Sequence, residues 1–277
     1  MTWKRVVTAL VLIPIVVALV LFAPTFVIGI ATGVFTVLAL WEYFALGDAI
    51  GHRAYRIWTI VCSLLMIAAQ FAAAGPPSYF NLLIESPLTV FFVFLFGITC
   101  LTLWTRRPLV ESLPAAGVSS SAFLLVSFPL SYAVRIHGDR TFGPRLLLFA
   151  LVITWAADTS AYFVGRAIGK HPLAAHISPK KTWEGSVGSM IGSLIVAYAF
   201  SFWIPIPTVH LFAMAAIGNV AGQMGDLLES AYKRSAGVKD SGGLLPGHGG
   251  ILDRIDALIL CFPVIWYYLV LVNPPIL

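Results

Sequence analysis

The sequence predicts an all-α, polytopic integral membrane protein with about nine transmembrane helices and a cytoplasmic N-terminus. Of its 277 residues, 59% are hydrophobic and only 10% are charged, and the mean hydropathy is +0.92. Soluble proteins carry about 25% charged residues, so this composition excludes a soluble enzyme, a disordered chain and a disulfide-rich secreted domain. One bilayer crossing takes about 20 apolar residues, and most of the chain is therefore expected in the membrane.

Nine apolar segments alternate with stretches rich in proline, glycine and charge. We predict helices near 6–23, 26–46, 56–74, 87–104, 115–134, 146–165, 183–204, 208–226 and 255–272. A helix satisfies its backbone hydrogen bonds internally, as the lipid interior requires, whereas a membrane β-barrel would show alternating rather than continuous hydrophobicity. Lys4 and Arg5 precede the first segment and no small-residue cleavage site follows it, which predicts an uncleaved first helix.

The distribution of basic residues predicts the orientation. With the N-terminus inside, the cytoplasmic side receives 14 of the 17 Lys and Arg residues, as the positive-inside rule requires. The exceptions are Arg135, Arg140 and Arg145, which share one loop and have no explanation at this level. Because no basic domain lies outside the membrane segments, nucleic acid is not expected as a partner.

The two parts of the chain differ in their acidic residues. Residues 1–150 have short loops, and we interpret them as structural membrane helices that form a dimer contact or a cavity wall. Residues 151–277 are predicted to be the catalytic half, since seven of the twelve acids and the two longest loops, 166–182 and 227–254, lie there. Both loops face the cytoplasm in the predicted topology.

Three aspartates are the candidate metal ligands. Asp226, Ser230 and Lys233 are spaced i, i+4 and i+7 and share one face if the eighth helix continues beyond the membrane edge. Asp253 and Asp256 share a face at the start of the ninth helix. Converging carboxylates repel one another unless a cation neutralises them, and such hard oxygen ligands suit Mg²⁺. In the alternative interpretation, Asp253 caps the helix and Asp256 pairs with a nearby basic residue.

The loop after the eighth helix has the composition of a phosphate site. Arg234 and Lys239 supply positive charge in addition to Lys233. Gly249 and Gly250 allow a close approach of the backbone to a phosphate. His248 could orient a carboxylate, contact a phosphate or stabilise the loop, and the residues leave these roles open.

A second candidate anion site is the segment Ser178-Pro-Lys180-Lys181-Thr182. We predict that Ser178 caps a helix whose first position is the following proline, so that exposed backbone N–H groups and the two lysines bind an anion. The alternative is a positive-inside anchor next to an interfacial tryptophan, Trp183.

Two acids lie inside predicted helices. Asp158 is seven residues before the helix end at Gly165, about 10 Å below it, and an acid at that depth is functional by default. The alternative is a structural acid held by Arg166 or Thr154. Glu42 lies near a cytoplasmic helix end, where an acid that reaches the interface and a functional acid are equally consistent with the sequence.

The polar segment Ser230-x-x-Lys233-Arg234-x₄-Lys239-Asp240-x-Gly242-x₂-Leu245-Pro246-Gly247-His248-Gly249-Gly250-x-x-Asp253-Arg254-x-Asp256 resembles the signature of the phosphatidate cytidylyltransferase (CDP-diacylglycerol synthase) family. The stretch from Asp158 to Arg166 and the Ser-Pro-Lys-Lys-Thr-x-Glu-Gly segment resemble two further motifs of that family. Together they cover about residues 155–256, whereas residues 1–150 match only as a run of membrane helices.

This resemblance implies a membrane enzyme that joins CTP to phosphatidic acid and releases pyrophosphate. It also implies Mg²⁺, with K⁺ as an optional second cation, a homodimer, and a site on the cytoplasmic face of the inner (plasma) membrane. Asp226, Asp253 and Asp256 are assigned to metal and, with Lys233, to catalysis. The remaining assignments are to substrate: Lys180, Lys181, Arg234, Lys239, His248, Gly249 and Gly250 to phosphates, Ser178, Thr182 and Ser230 as hydroxyl donors, and Asp158.

Two other functions stay open at this level. A lipid kinase that uses CTP as its phosphoryl donor would release CDP rather than pyrophosphate. A transporter that uses the intramembrane Asp158 should show an inverted repeat with paired broken helices, and the sequence contains no convincing repeat.

Overall fold

The structure, a computed structural model, describes residues 2–75, 87–104, 108–243 and 249–272, and most of these residues are helical. The helices are α1 (Thr2–Phe22), α2 (Thr25–Ala49), α3 (Arg56–Ala74), α4 (Pro87–Trp104), α5 (Leu109–Ala122), α6 (Phe128–His137), α7 (Gly143–Ile168), α8 (Trp183–Phe200), α9 (Thr208–Ser235) and α10 (Leu252–Val272). A hairpin of two short strands, β1 (Pro172–Ala174) and β2 (Ser178–Thr182), joins α7 to α8. The predicted all-α class is confirmed.

Each predicted apolar segment coincides with a helix, but the fifth is longer than expected. A π-helical turn at Phe123–Ser127 joins α5 to α6, so one continuous helical rod runs from Leu109 to His137. Pro129 lies just after this turn and has no N–H to donate to the carbonyl four residues earlier, which explains why the regular helix is interrupted there.

Within the described ranges, seven helical rods are long and apolar enough to cross a membrane: α2, α3, α4, α5–α6, α7, α9 and α10. Two of the predicted crossings are outside this set. The described side chains of α1 begin at Leu12, and the apolar stretch Leu12–Phe22 is by itself shorter than a crossing. In α8, glycine, serine and Glu184 lower the mean hydropathy. The structure is thus that of a polytopic membrane protein, with most of its predicted crossings present at full length.

Arg135 and Arg145, two of the three arginines that the predicted topology places on the non-cytoplasmic side, lie against aromatic rings. The Arg135 guanidinium lies 5.1 Å from the centre of the Trp266 ring, and that of Arg145 lies 5.5 Å from the centre of the Trp203 ring. Arg145 also donates to the Trp203 carbonyl oxygen at 3.3 Å. Stacking of this kind accommodates a guanidinium beside apolar surface.

The helices of the C-terminal half pack closely through small residues. A Cβ atom on Gly225 of α9 would lie 2.4 Å from the Asp256 carbonyl oxygen of α10, and one on Gly192 of α8 would lie 2.2 Å from the Ser160 hydroxyl of α7. These approaches require glycine. As a consequence, the segments of α9 and α10 that carry Asp226 and Asp256 lie side by side.

The hairpin corrects one local prediction. Ser178 does not cap a helix: it is the first residue of β2 and pairs with Ala174. The helix begins at Trp183, and the Thr182 hydroxyl caps it by accepting a hydrogen bond from the Gly185 N–H at 3.1 Å. Pro179 is compatible with this strand because both strands of a two-stranded sheet are edges.

Candidate active site

The main cavity of the C-terminal half lies between α7, the hairpin, α8 and α9, and has a volume of about 650 Å³. The C-terminal part of α7, the first turns of α8 and the second half of α9 form its walls. Its lining includes five of the predicted site residues and several polar residues that were not predicted: Asp158, Lys180, Lys181, Thr182, Asp226, Thr154, Tyr162, Arg166, Ser186, Ser189, Asn219 and Gln223.

An ion pair between two lining residues joins the hairpin to α9. The Lys181 Nζ atom lies 2.5 Å from Asp226 Oδ2, and the two side chains are 26% and 31% exposed. Lys180 lines the same cavity. The sequence predicted both the lysines and the aspartate as site residues, but it did not predict their pairing.

Three aspartates from three helices make up what we call the acidic cluster: Asp158 of α7, Asp226 of α9 and Asp256 of α10. Asp158 and Asp226 line the cavity, as does Ala257, the neighbour of Asp256. Asp256 belongs to the same region, because its backbone carbonyl packs against Gly225, the residue before Asp226. The cavity therefore combines acidic oxygen donors with lysines that can bind phosphate.

Asp253, predicted as the third metal ligand, lies in a different group. Its Oδ1 atom is 2.5 Å from Lys233 Nζ, and its Oδ2 atom accepts hydrogen bonds from the Gly250 N–H at 2.9 Å and from the N–H and hydroxyl of Ser241, each at 3.1 Å. Lys233 also pairs with Glu229 at 2.5 Å. We call Glu229, Lys233 and Asp253 the Lys233 cluster.

The Lys233 cluster is largely buried, and its one lysine lies between two carboxylates. Lys233 is 8% exposed and Glu229 is 5% exposed, and none of the three residues lines the main cavity. In this arrangement the Lys233 ammonium group contacts two carboxylates of the protein, and it does not line the cavity in which a ligand would bind. Sequence reasoning missed Glu229, although a Glu–Lys pair at i, i+4 on one helix is a recognisable signal.

The other predicted residues divide between the cavity and its surroundings. Ser230 is buried on α9 away from the cavity lining, and Lys239 is exposed. Arg234 donates to the Ile177 and Val238 carbonyl oxygens at 3.3 and 3.0 Å, so it ties the hairpin turn to the end of α9. Gly249 has a φ of +80°. His248 lies outside the described residues.

Polar side chains form a ladder at the deeper end of the cavity. The Asn219 amide donates to the hydroxyls of Ser189 and Ser193 at 2.8 and 2.9 Å, and the Gln223 amide donates to Asn219 Oδ1 at 2.6 Å. Asn219 is seven residues before Asp226, or about 10 Å deeper along the helix. Sequence reasoning missed this ladder, although Asn219, Gln223 and Asp226 are spaced i, i+4 and i+7 and form a polar stripe on α9.

A hydrogen bond between His171 and Glu184 holds the hairpin against α8. This helix is not one of the seven helical rods that are long and apolar enough to cross a membrane. His171 Nδ1 lies 2.6 Å from Glu184 Oε1. Hydrogen bonds from the Glu184 backbone N–H and from His171 lower the pKa of the Glu184 carboxyl to about 2. The carboxylate is therefore ionised at neutral pH and stabilises the N-terminus of α8, where negative charge is favourable.

The described residues contain no group of three or more His, Cys, Asp or Glu side chains arranged to hold a metal ion. The predicted set of Asp226, Asp253 and Asp256 is not brought together, because the oxygens of Asp253 bind Lys233, Ser241 and Gly250 instead. The Mg²⁺ and K⁺ expectations stay predictions.

Comparison with known proteins identifies the family. The model of the cytidylyltransferase family matches residues 3–272. The chain is 40% identical over 157 residues to the phosphatidate cytidylyltransferase of Bacillus subtilis (strain 168) and 39% identical over 171 residues to that of Haemophilus influenzae. These alignments cover 56% and 60% of this chain, and the chain spans 58% and 59% of the length of the two relatives. The family match covers nearly the whole chain, and the protein belongs to the cytidylyltransferase family.

Proposed function

We propose that the protein transfers the cytidylyl group of CTP to phosphatidic acid, giving CDP-diacylglycerol and pyrophosphate. The observation that carries this proposal is the main cavity, in which Lys180 and Lys181 face Asp158 and Asp226 at one end of a bundle of membrane helices. A site of this kind can receive a polyphosphate and a lipid phosphate together. The aligned relatives, which bear the name phosphatidate cytidylyltransferase, support the same reaction.

The reaction needs positioning and charge neutralisation more than proton transfer. An oxygen of the lipid phosphate attacks the α-phosphorus of CTP, the bond to the β-phosphate breaks, and pyrophosphate leaves with the bond electrons. The attacking phosphate is already anionic near neutral pH, so no general base is required. The two lysines of the hairpin bind the phosphates and stabilise the charge that develops on them.

We also propose that the site works with Mg²⁺. The described residues hold no complete group of three acids for a metal, so carboxylates of the acidic cluster would bind it only together with substrate phosphates. Mg²⁺ commonly binds one or two carboxylates together with substrate phosphates, so Asp226 and Asp256 would hold it, with Asp158 adjacent. Bound there, the metal would neutralise the phosphate oxygens. Asp253 is better suited to hold Lys233 and the loop, since its oxygens already have four donors.

The location and assembly are part of the proposal. We place the cavity on the cytoplasmic side of the inner membrane, because CTP is cytoplasmic and the basic residues favour that orientation. Labelling of single cysteines in loop 166–182 with an impermeant reagent in intact cells tests the placement, and labelling from outside would contradict it. A homodimer is implied by the family resemblance, and the mass of the solubilised complex tests it.

Product analysis tests the function. Purified protein is incubated with phosphatidic acid, Mg²⁺ and CTP labelled in the cytosine ring, and the lipid phase is examined for the label. We expect a lipid-soluble nucleotide and an equal amount of pyrophosphate. Release of labelled CDP with formation of a phosphorylated lipid would indicate a CTP-dependent lipid kinase instead. The absence of any CTP turnover would contradict both.

A further inference from the structure

Glu42, an acid of the N-terminal half, makes an unexpected contact with the start of α10. Its side chain is buried, with 3% of the residue exposed. Its Oε1 atom accepts a hydrogen bond from the Ile251 N–H at 3.0 Å, and its Oε2 atom accepts from the Leu252 N–H at 2.8 Å and from the Ser241 hydroxyl at 2.9 Å. The carboxylate thus crosses from α2 to the N-terminus of a helix that begins 210 residues later in the chain.

These contacts replace a local helix cap. The first N–H groups of a helix have no partners within the helix, and a negative charge beside them is stabilised by the helix dipole. Charge-assisted hydrogen bonds of this kind are stronger than neutral ones. In α10 the carboxylate that satisfies these donors comes from another helix, so the position of α10 depends on α2.

The loop before α10 is packed against the same carboxylate. A Cβ atom on Gly242 would lie 2.5 Å from Glu42 Oε1, and one on Gly250 would lie 2.4 Å from Oε2. The Ser241 hydroxyl lies between two carboxylates, 2.9 Å from Glu42 and 3.1 Å from Asp253. Glu42 therefore contacts the loop at Ser241 and Gly242 and again where it joins α10, and it is linked through Ser241 to the Lys233 cluster.

We propose that Glu42 is a positioning residue for the cytidylyl transfer: it sets the start of α10 and thereby the direction of the Asp256 carboxylate. Glu42 does not line the main cavity, so it acts through α10 rather than on the substrates. Asp256 lies on the first turns of α10, where a shift of the helix end moves its side chain most. This inference rests on the proposed function for its effect on turnover, whereas its effect on α10 is independent of it.

The experiment compares Glu42→Gln and Glu42→Ala with Asp48→Asn. Asp48 is the matched control, because it is an acid on the same helix and pairs with Arg56. Hydrogen exchange of the backbone in residues 249–258 reports on the helix start. Initial rates over a range of Mg²⁺ concentrations report on the acidic cluster.

In Glu42→Ala we expect exchange at Ile251 and Leu252 to be at least about tenfold faster, since two charge-assisted hydrogen bonds are lost. We expect the Mg²⁺ concentration for half-maximal activity to rise by about fivefold or more while the KM for CTP changes by less than about twofold. Glu42→Gln, which keeps the shape but not the charge, should be intermediate, and Asp48→Asn should resemble the wild type.

A purely structural role would lower the yield of active protein without moving the Mg²⁺ requirement, and that result would overturn the proposal. Unchanged exchange in Glu42→Gln and Glu42→Ala would overturn it as well. If Glu42→Ala does not fold, Glu42→Gln carries the test. If the wild-type protein formed no lipid-soluble nucleotide, the proposed function would fail, and the exchange data would still decide whether Glu42 holds α10.

Discussion

Replacement of Lys181 by methionine should separate catalysis from stability. The Lys181–Asp226 pair joins the hairpin to α9, and its side chains are 26% and 31% exposed. An ion pair this accessible to water contributes about 0–1 kcal/mol to folding. Loss of a positive charge that stabilises a reacting phosphoryl group costs about 3 kcal/mol in the transition state, which is about 10²-fold in rate.

The assay measures the initial rate of lipid-soluble nucleotide formation together with the Tm of the solubilised protein. For Lys181→Met we expect a rate about 10²-fold below the wild type and a Tm within about 4 °C of it. Lys170→Met is the control, because Lys170 is exposed and lies outside the cavity lining. A similar, mild loss of rate in both variants would refute the assignment of Lys181 to phosphate. A large fall in Tm would show that the ion pair is mainly structural.

Three further variants test the site and the packing around it. Lys233→Met removes the cation between two buried carboxylates and should destabilise the protein by about 3–5 kcal/mol; a wild-type thermal unfolding curve would contradict this. Gly225→Ala places a Cβ atom 2.4 Å from a backbone carbonyl of α10 and should cost about 1–3 kcal/mol, whereas Gly117→Ala, with no atom within 4 Å, should not destabilise. Asp226→Asn should raise the Mg²⁺ requirement more than Asp253→Asn does, and the reverse order would restore Asp253 to the metal site.

Sequence reasoning predicted the membrane class, the helices and the half of the chain that holds the cavity. These features depend on hydropathy and on the spacing of charges, which are local properties and can be read from one chain. Asp158, Lys180, Lys181, Thr182 and Asp226 were predicted as site residues, and all of them line one cavity. Four of them were selected as acids or lysines next to apolar segments, and Thr182 was selected as the hydroxyl donor beside the two lysines.

The contacts that the predicted site residues make with other residues could not be predicted from the sequence. Asp253 was expected beside Asp226, but it binds Lys233 instead. Helical periodicity predicts which residues share a face, but it does not predict which residues of another helix that face contacts. The helix cap expected at Ser178 was wrong, because the segment pairs as a strand with residues 172–174. In both cases a plausible local pattern was overridden by a contact with another element.

The sequence by itself therefore determined that this protein crosses the membrane repeatedly, and it predicted five of the polar residues that line the cavity of its C-terminal half. Only the tertiary structure decided which carboxylates face each other and which are neutralised by a lysine. Glu42 illustrates the difference, since its partners lie about 200 residues away and no periodicity or motif connects them. The physical reason is that hydrophobicity determines whether a segment lies in the membrane. Which residues then contact one another depends on how closely the helices pack, as they do at Gly225.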